Sequence, residues 1–167
     1  MFRTIADFEK AWGHEGAGTL EILKALDDAS LGQSVADGHR TLGRLAWHLT
    51  GTLAEMMNRT GLAVEGPEEG APVPARSAEI ASAYERSSRS LLAQIKERWN
   101  DAALLIEDEM YGDKWARGST LLALVSHQAH HRGQMTVLMR QAGLKVAGIY
   151  GPAFEEWSAF GAPPPEI

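Results

Sequence analysis

Three of the chain's six histidines fall within five positions, in the stretch HQAHHRGQM that spans residues 127 to 135. If the stretch is helical, His127 and His131 stand one turn apart on the same face, about 6 Å along the axis. Two imidazoles held that way can chelate one divalent cation. The surrounding stripe of Leu124, His127/Gln128, His131, Met135, Leu138 and Ala142 has the three- and four-residue spacing that buries a helix face. Both rings are therefore expected to point inward. A catalytic centre takes three protein ligands and keeps a position open, so a third must come from another segment. His48 in LAWHLTG is the candidate, because an unpartnered imidazole among apolar neighbours bears a desolvation cost that coordination removes. The alternative is that the histidines are hydrogen-bonded core residues with no ion. H-x-x-x-H is a weak signal alone, and Gln128 stands where the zinc-protease motif has its general-base Glu.

Other residues are placed around this centre. Gln134, three past His131, can hydrogen-bond a ligand or a water, or simply fill a polar gap. His130 lies about 100° around the helix from His131 and is expected at its edge, packing or supporting a ligand. Glu55, two turns past His48, is read as a pocket carboxylate, a distant metal partner or a solvated residue, the last being preferred. Tyr84 is expected to face inward, with its hydroxyl in the cavity or at the core's rim. His14 and His39 read as surface or loop residues, with His14 beside a glycine-rich stretch that can line a cavity.

Four segments with helical periodicity must hold these side chains. The first runs from about Thr4 to Ala29, with Gly13, Gly16 and Gly18 predicting a bend or break. The second is HRTLGRLAWHLTGTLAEMMNRTG, with Leu42, Leu45, Leu49, Leu53 and Met56 as its stripe and Gly61 as its stop. The Gly/Pro-rich loop GLAVEGPEEGAPVPA follows. The third runs from about Arg76 to Trp99, with Ile80, Tyr84, Ser87, Leu91 and Ile95 inward. LLIEDEMYGDKWARG reads as a short hairpin or an irregular loop. The fourth starts at Gly118-Ser119, with Ser119 as its cap, and ends before Gly143. A short helix is expected from Pro152. The expected fold is all-α: a four-helix bundle, in one domain over residues 1–167, with a short extra C-terminal helix. Bundle interiors commonly carry metal sites built from facing helices.

Composition narrows the function. At 167 residues, 44% of them hydrophobic, the chain can build a core without staples. It has no cysteine, which excludes disulfides, thiolate nucleophiles and zinc-thiolate sites. A net charge of −6 with scattered Lys and Arg argues against nucleic acid. MFRTIADFEK has no signal-like apolar run, and no stretch is long and apolar enough to span a membrane, so a cytoplasmic protein is expected.

Taken together, HRTLGRLAWHLTGTLAEM, SHQAHHRGQMTVLMRQAGL and YGPAFEEW resemble the DinB-like family of metal-dependent proteins over nearly the whole chain. The resemblance implies helices running up-down-down-up and a divalent metal, zinc or nickel, on three histidines. Carried over, these are His48 in LAWHL and His127 and His131 in HQAHH. It also implies a possible homodimer, for which Leu121, Leu122 and Met139 offer apolar surface, and relatives that use a low-molecular-weight thiol, the bacillithiol transferases and mycothiol-dependent isomerases. Ala147 stands where similar sequences often have Pro, a departure in the tail loop. A metal on three neutral imidazoles keeps its full charge and can lower the pKa of bound water or thiol. The functional expectation is thiol transfer to, or hydrolysis of, a small electrophile. The alternative is a non-catalytic metal-bearing stress-response or ligand-binding protein.

Overall fold

The computed structural model describes residues 1–166. Four α-helices carry the fold: α1 (Ile5–Lys24), α2 (Leu42–Asn58), α3 (Ser77–Arg98) and α4 (Arg117–Gln141). Side-chain caps start two of them, Thr4 accepting from the Asp7 amide and Thr41 from the Arg44 amide. Helix α4 begins at Arg117 without a side-chain cap, so Ser119 lies inside the helix rather than at its start. The antiparallel pair β1 (Glu107–Met110) and β2 (Asp113–Ala116) precedes it, which settles the segment before α4 as a hairpin. Its two-residue loop is Tyr111-Gly112, with φ 56° and 88°. Positive φ at both positions suits the twist of a tight hairpin, and a non-glycine residue is rare there. Short 3₁₀ helices occupy Ala29–Gly32, Asp101–Leu105 and Phe154–Phe160, the last being the short C-terminal helix expected from Pro152, two residues later and 3₁₀ rather than α.

Each long helix packs against two neighbours, in the cyclic order α1, α3, α2, α4. Side-chain bonds give the directions. Trp12 reaches Ser88 while Glu9 reaches Lys96, so α1 and α3 are antiparallel. His48 meets His127 while Gln33, ahead of α2, meets Gln141, so α2 and α4 are antiparallel. The amides of Ala63 and Glu65, just past α2, bond Gln94 and Ser90 near the end of α3. Thus α2 and α3 run the same way and the loop between them returns along the bundle. The order is up-down-down-up.

Helix α1 is continuous, with no break at its glycines. Their missing side chains serve close packing instead. A Cβ at Gly16 would sit 3.1 Å from the Trp12 ring nitrogen, and one at Gly18 would sit 2.8 Å from Ile149 of the tail. Leu121 and Met139 are fully buried in the core, so of the three residues offered for a dimer face only Leu122 is exposed.

Gln128 is fully buried in the middle of this core. Its Oε1 accepts from Thr19 of α1 and from Tyr84 of α3, and its Nε2 donates to the Leu49 carbonyl of α2. One amide on α4 therefore bonds to every other helix. Beside it Arg132, also buried, donates to the Glu15 carboxylate, the Glu15 carbonyl and Thr19. Tyr150 of the tail closes this pair from outside, bonding both Glu15 and Arg132. A buried hydroxyl that loses its only acceptor carries about 1–3 kcal/mol of desolvation cost. Gln128→Leu is therefore expected to lower the unfolding free energy by about 2–4 kcal/mol, read as a reduced urea midpoint at unchanged slope. A midpoint equal to wild type would show that the cross-core amide does not hold the helices.

Candidate metal centre

His48 and its apolar neighbours Leu45 and Leu49 lie on α2, and His127 and His131 on α4. The antiparallel packing of these two helices brings the three rings together. His127 Nε2 lies 3.3 Å from His48 Nε2 and 3.2 Å from His131 Nε2. One ring nitrogen of each residue lies within 4.8 Å of the others. The rings stand edge to face, with interplanar angles of 66°, 89° and 76°. His131 is buried, and His48 and His127 are half-buried.

The register of this meeting is held from the core side. Leu49 follows His48 and Gln128 follows His127, so the Gln128 amide bond to the Leu49 carbonyl joins the two helices at the ligand pair. On the outer side, His131 Nδ1 donates to Gln134 Oε1 at 2.6 Å, and Gln134 Nε2 donates to His130 Nε2 at 3.2 Å. The first bond keeps the His131 proton on Nδ1 and leaves the Nε2 lone pair facing the other two rings. His130 is exposed, bonds Gln134, and sets its ring edge-on to that of His131 at 4.9 Å between centroids.

Burial is the main cause that pushes His48 and His127 down to about 4, with the neighbouring His131 adding to it. Burial also lowers His131, against the opposing effect of the Gln134 bond. At neutral pH all three imidazoles are neutral and hold free lone pairs, the form that binds metal.

The residues fit a divalent cation. Two nitrogens each about 2.0–2.1 Å from one tetrahedral zinc lie about 3.3–3.4 Å apart. The observed 3.2 and 3.3 Å are close to that span. Neutral imidazole suits zinc, nickel, copper and iron alike. His127 Nδ1 is buried without a hydrogen-bond partner among the described residues, so His127 lacks the outer bond that His131 has.

Glu55 is not turned toward the rings. Its carboxylate pairs with Arg59 at 2.9 Å and accepts from the Tyr111 hydroxyl at 2.6 Å. The strained hairpin residue Tyr111 thus keeps the nearest carboxylate occupied. Tyr84 is fully buried, and its hydroxyl goes to Gln128 rather than into the cavity. His14 is exposed on α1, its ring 5.8 Å from that of Tyr150, and His39 lies in the turn before α2.

Two clefts open beside the triad. One, of about 680 Å³, is lined by His48, Trp47, Glu55 and Arg44 among others. The other, of about 460 Å³, is lined by His131, Gln134, Leu45, Leu138, Val35 and Val137 with His39. Arg40 lines both. Sequence reasoning passed over Arg40, which stands in a turn with no periodicity, and placed Gln128 on the inward stripe and as a missing glutamate without finding its partners on the other helices.

Comparison with known proteins places this chain among relatives. The family model described as the DinB family matches residues 1–166. The uncharacterized protein YrdA of Bacillus subtilis strain 168 is 42% identical over 167 residues, the full length of both chains. The crystal structure of a DinB-like protein from Bacillus cereus ATCC 10987 superposes with a TM-score of 0.87 at 40% identity, covering 90% of this chain and 100% of that one. A DinB-like protein of B. subtilis, YjoA, shares the fold at a TM-score of 0.65 and 18% identity, covering 87% of this chain and 98% of its own.

The depressed histidines make the chelator-treated protein sensitive to acid. Their folded-state pKa lies below the unfolded value near 6.5, so unfolding takes up protons once pH falls below about 6.5. The stability from keeping them neutral is complete above that pH and is lost down to about 4. With chelator present, the urea midpoint of wild type is expected to fall more between pH 7 and 4.5 than that of His48→Gln. Identical slopes would refute the burial of these imidazoles in the folded chain.

Proposed function

The chain belongs to the DinB family, and on that premise we propose that it is a metal-dependent enzyme acting on a small electrophile, by thiol transfer or by hydrolysis. The observation that carries this reading is the convergence of three neutral imidazole nitrogens from two helices beside open clefts. His48, His127 and His131 would hold the ion. When bound, the ion supplies a Lewis acid that lowers the pKa of a water or thiol and so provides a nucleophile near neutral pH.

The chain's own residues do the remaining work. Gln134 holds the His131 proton on Nδ1, which keeps Nε2 available. Gln128 fixes the register of His48 against His127. Leu45 and Leu138 form an apolar wall of the cleft beside His131. The Glu55 carboxylate, held by Arg59 and Tyr111, does not close the remaining side. An open position is what separates catalytic from structural three-ligand sites, and it favours catalysis over a closed structural ion. With no cysteine in the chain, a thiol nucleophile would be a separate small molecule.

Elemental analysis of untagged protein is expected to find about one zinc or nickel per chain, which His127→Ala and His131→Ala remove. The loaded protein is expected to turn over an activated ester, or a chromogenic aryl halide with an added small thiol. His48→Ala is expected to lower kcat/KM by about 100-fold or more, a larger loss than is typical for removal of outer-shell partners of a ligand. A bound metal without turnover on either substrate would point to a ligand-binding protein. Absence of metal, with no rise in Tm on adding zinc or nickel, would make the triad structural.

A further inference from the structure

The second cleft differs in charge from its surroundings. The protein has a net charge of −6, yet among the described residues no aspartate or glutamate lines this cleft. Its single permanently charged group is Arg40. The first cleft is mixed, with Glu55, Glu68 and Glu69 offsetting Arg40, Arg44 and Arg59. Four other arginines are paired, Arg59 with Glu55, Arg117 with Asp108, Arg132 with Glu15 and Arg140 with Glu155, and of the arginines without such a partner Arg40 is the one that lines this cleft. Arg40 has no carboxylate or hydrogen-bond partner among the described residues.

Its position is fixed by a built turn. Ser34 and Thr41 pair across the turn, the Leu42 amide donates to the Gln33 carbonyl at 2.7 Å, and Gly38 takes φ 75° to reverse the chain. This sets Arg40 at the junction of the two clefts, near enough for its charge to act on both His48 and His131. The rest of the second cleft is apolar. Leu45 and Leu138 are buried beneath it, and Val35 and Val137 stand at its rim 58% and 54% exposed.

We propose that the second cleft binds an amphipathic anion: a carboxylate or phosphate on Arg40, an apolar body along Val35, Leu45, Val137 and Leu138, and the reacting end at His131. A planar guanidinium with free donors is suited to bidentate carboxylate or phosphate, and an apolar trough with one convergent charge is the usual build of a small-molecule site. The assignment rests on the metal-dependent reading and adds the substrate's class to it.

The test uses full-length protein loaded with cobalt, whose visible spectrum reports a thiolate at the ion. The probes are 4-mercaptobutanoate and 6-mercaptohexanoate, each against the mercaptoalcohol of the same length. Wild type is expected to bind at least one acid about tenfold more tightly than its alcohol. Arg40→Gln is expected to abolish that preference while leaving the alcohol's affinity unchanged, and Arg40→Lys to restore part of it. Inorganic phosphate and butanoate are expected to compete with the acid in wild type and not in Arg40→Gln. Equal affinity for acid and alcohol, or a preference that survives Arg40→Gln, overturns the anion site while leaving the metal centre standing. Failure of cobalt to load, with no competition between phosphate and butanoate for the cleft in an equilibrium-dialysis measurement, overturns both.

Discussion

The centre depends on a buried side-chain amide that contacts no candidate ligand directly. Gln128 accepts from Thr19 and Tyr84 and donates to the Leu49 carbonyl, so α4 is fixed against α1, α3 and α2 at one level of the bundle. A helix face packed only by leucines can slide or rotate with little penalty, because apolar contact is non-directional. A buried hydrogen bond cannot, since losing it leaves a desolvated donor or acceptor. The directional bond lies one residue from both His48 and His127, where a sliding helix would separate the rings. Arg132 and Glu15 repeat the device a turn away, where leaving either charge unpaired would cost about 3–5 kcal/mol.

With the register fixed, desolvation sets the chemistry of the rings. Burial disfavours imidazolium, so His48 and His127 stay neutral well below neutral pH. Glu55, bound by Arg59 and Tyr111, opposes this only in part. The same arrangement leaves the side of the triad that faces the clefts free. The core thus aims the nitrogens, burial keeps their lone pairs, and the hairpin holds the competing carboxylate away.

The triad was legible because i, i+4 spacing and apolar neighbours are local signals, and His48 stood out as a polar residue in an apolar run. Four helices, their order along the chain and the stops at Gly61 and Gly143 came from the same periodicity. What escaped was non-local. Gln128 looks like a polar residue at the edge of a stripe until Thr19, Leu49 and Tyr84, from three other segments, are seen around it. Glu15 and Arg132 are 117 positions apart, and no spacing rule links them. Tyr84 was correctly read as inward, but the destination of its hydroxyl depended on a different helix. The glycines of α1 read as breakers because propensity counts only the helix itself, whereas Gly16 and Gly18 admit Trp12 and Ile149. Arg40 carries no sequence signal because its meaning lies in the absence of carboxylates from a cleft assembled from separate segments.

X-ray absorption at the edge of a zinc- or nickel-loaded sample tests the central claim most directly, since it reads the ligands around the ion. The account predicts a shell containing three imidazole nitrogens at about 2.0–2.1 Å with at least one further light-atom ligand from solvent. A shell with one imidazole or none, or one dominated by carboxylate oxygens, would contradict it.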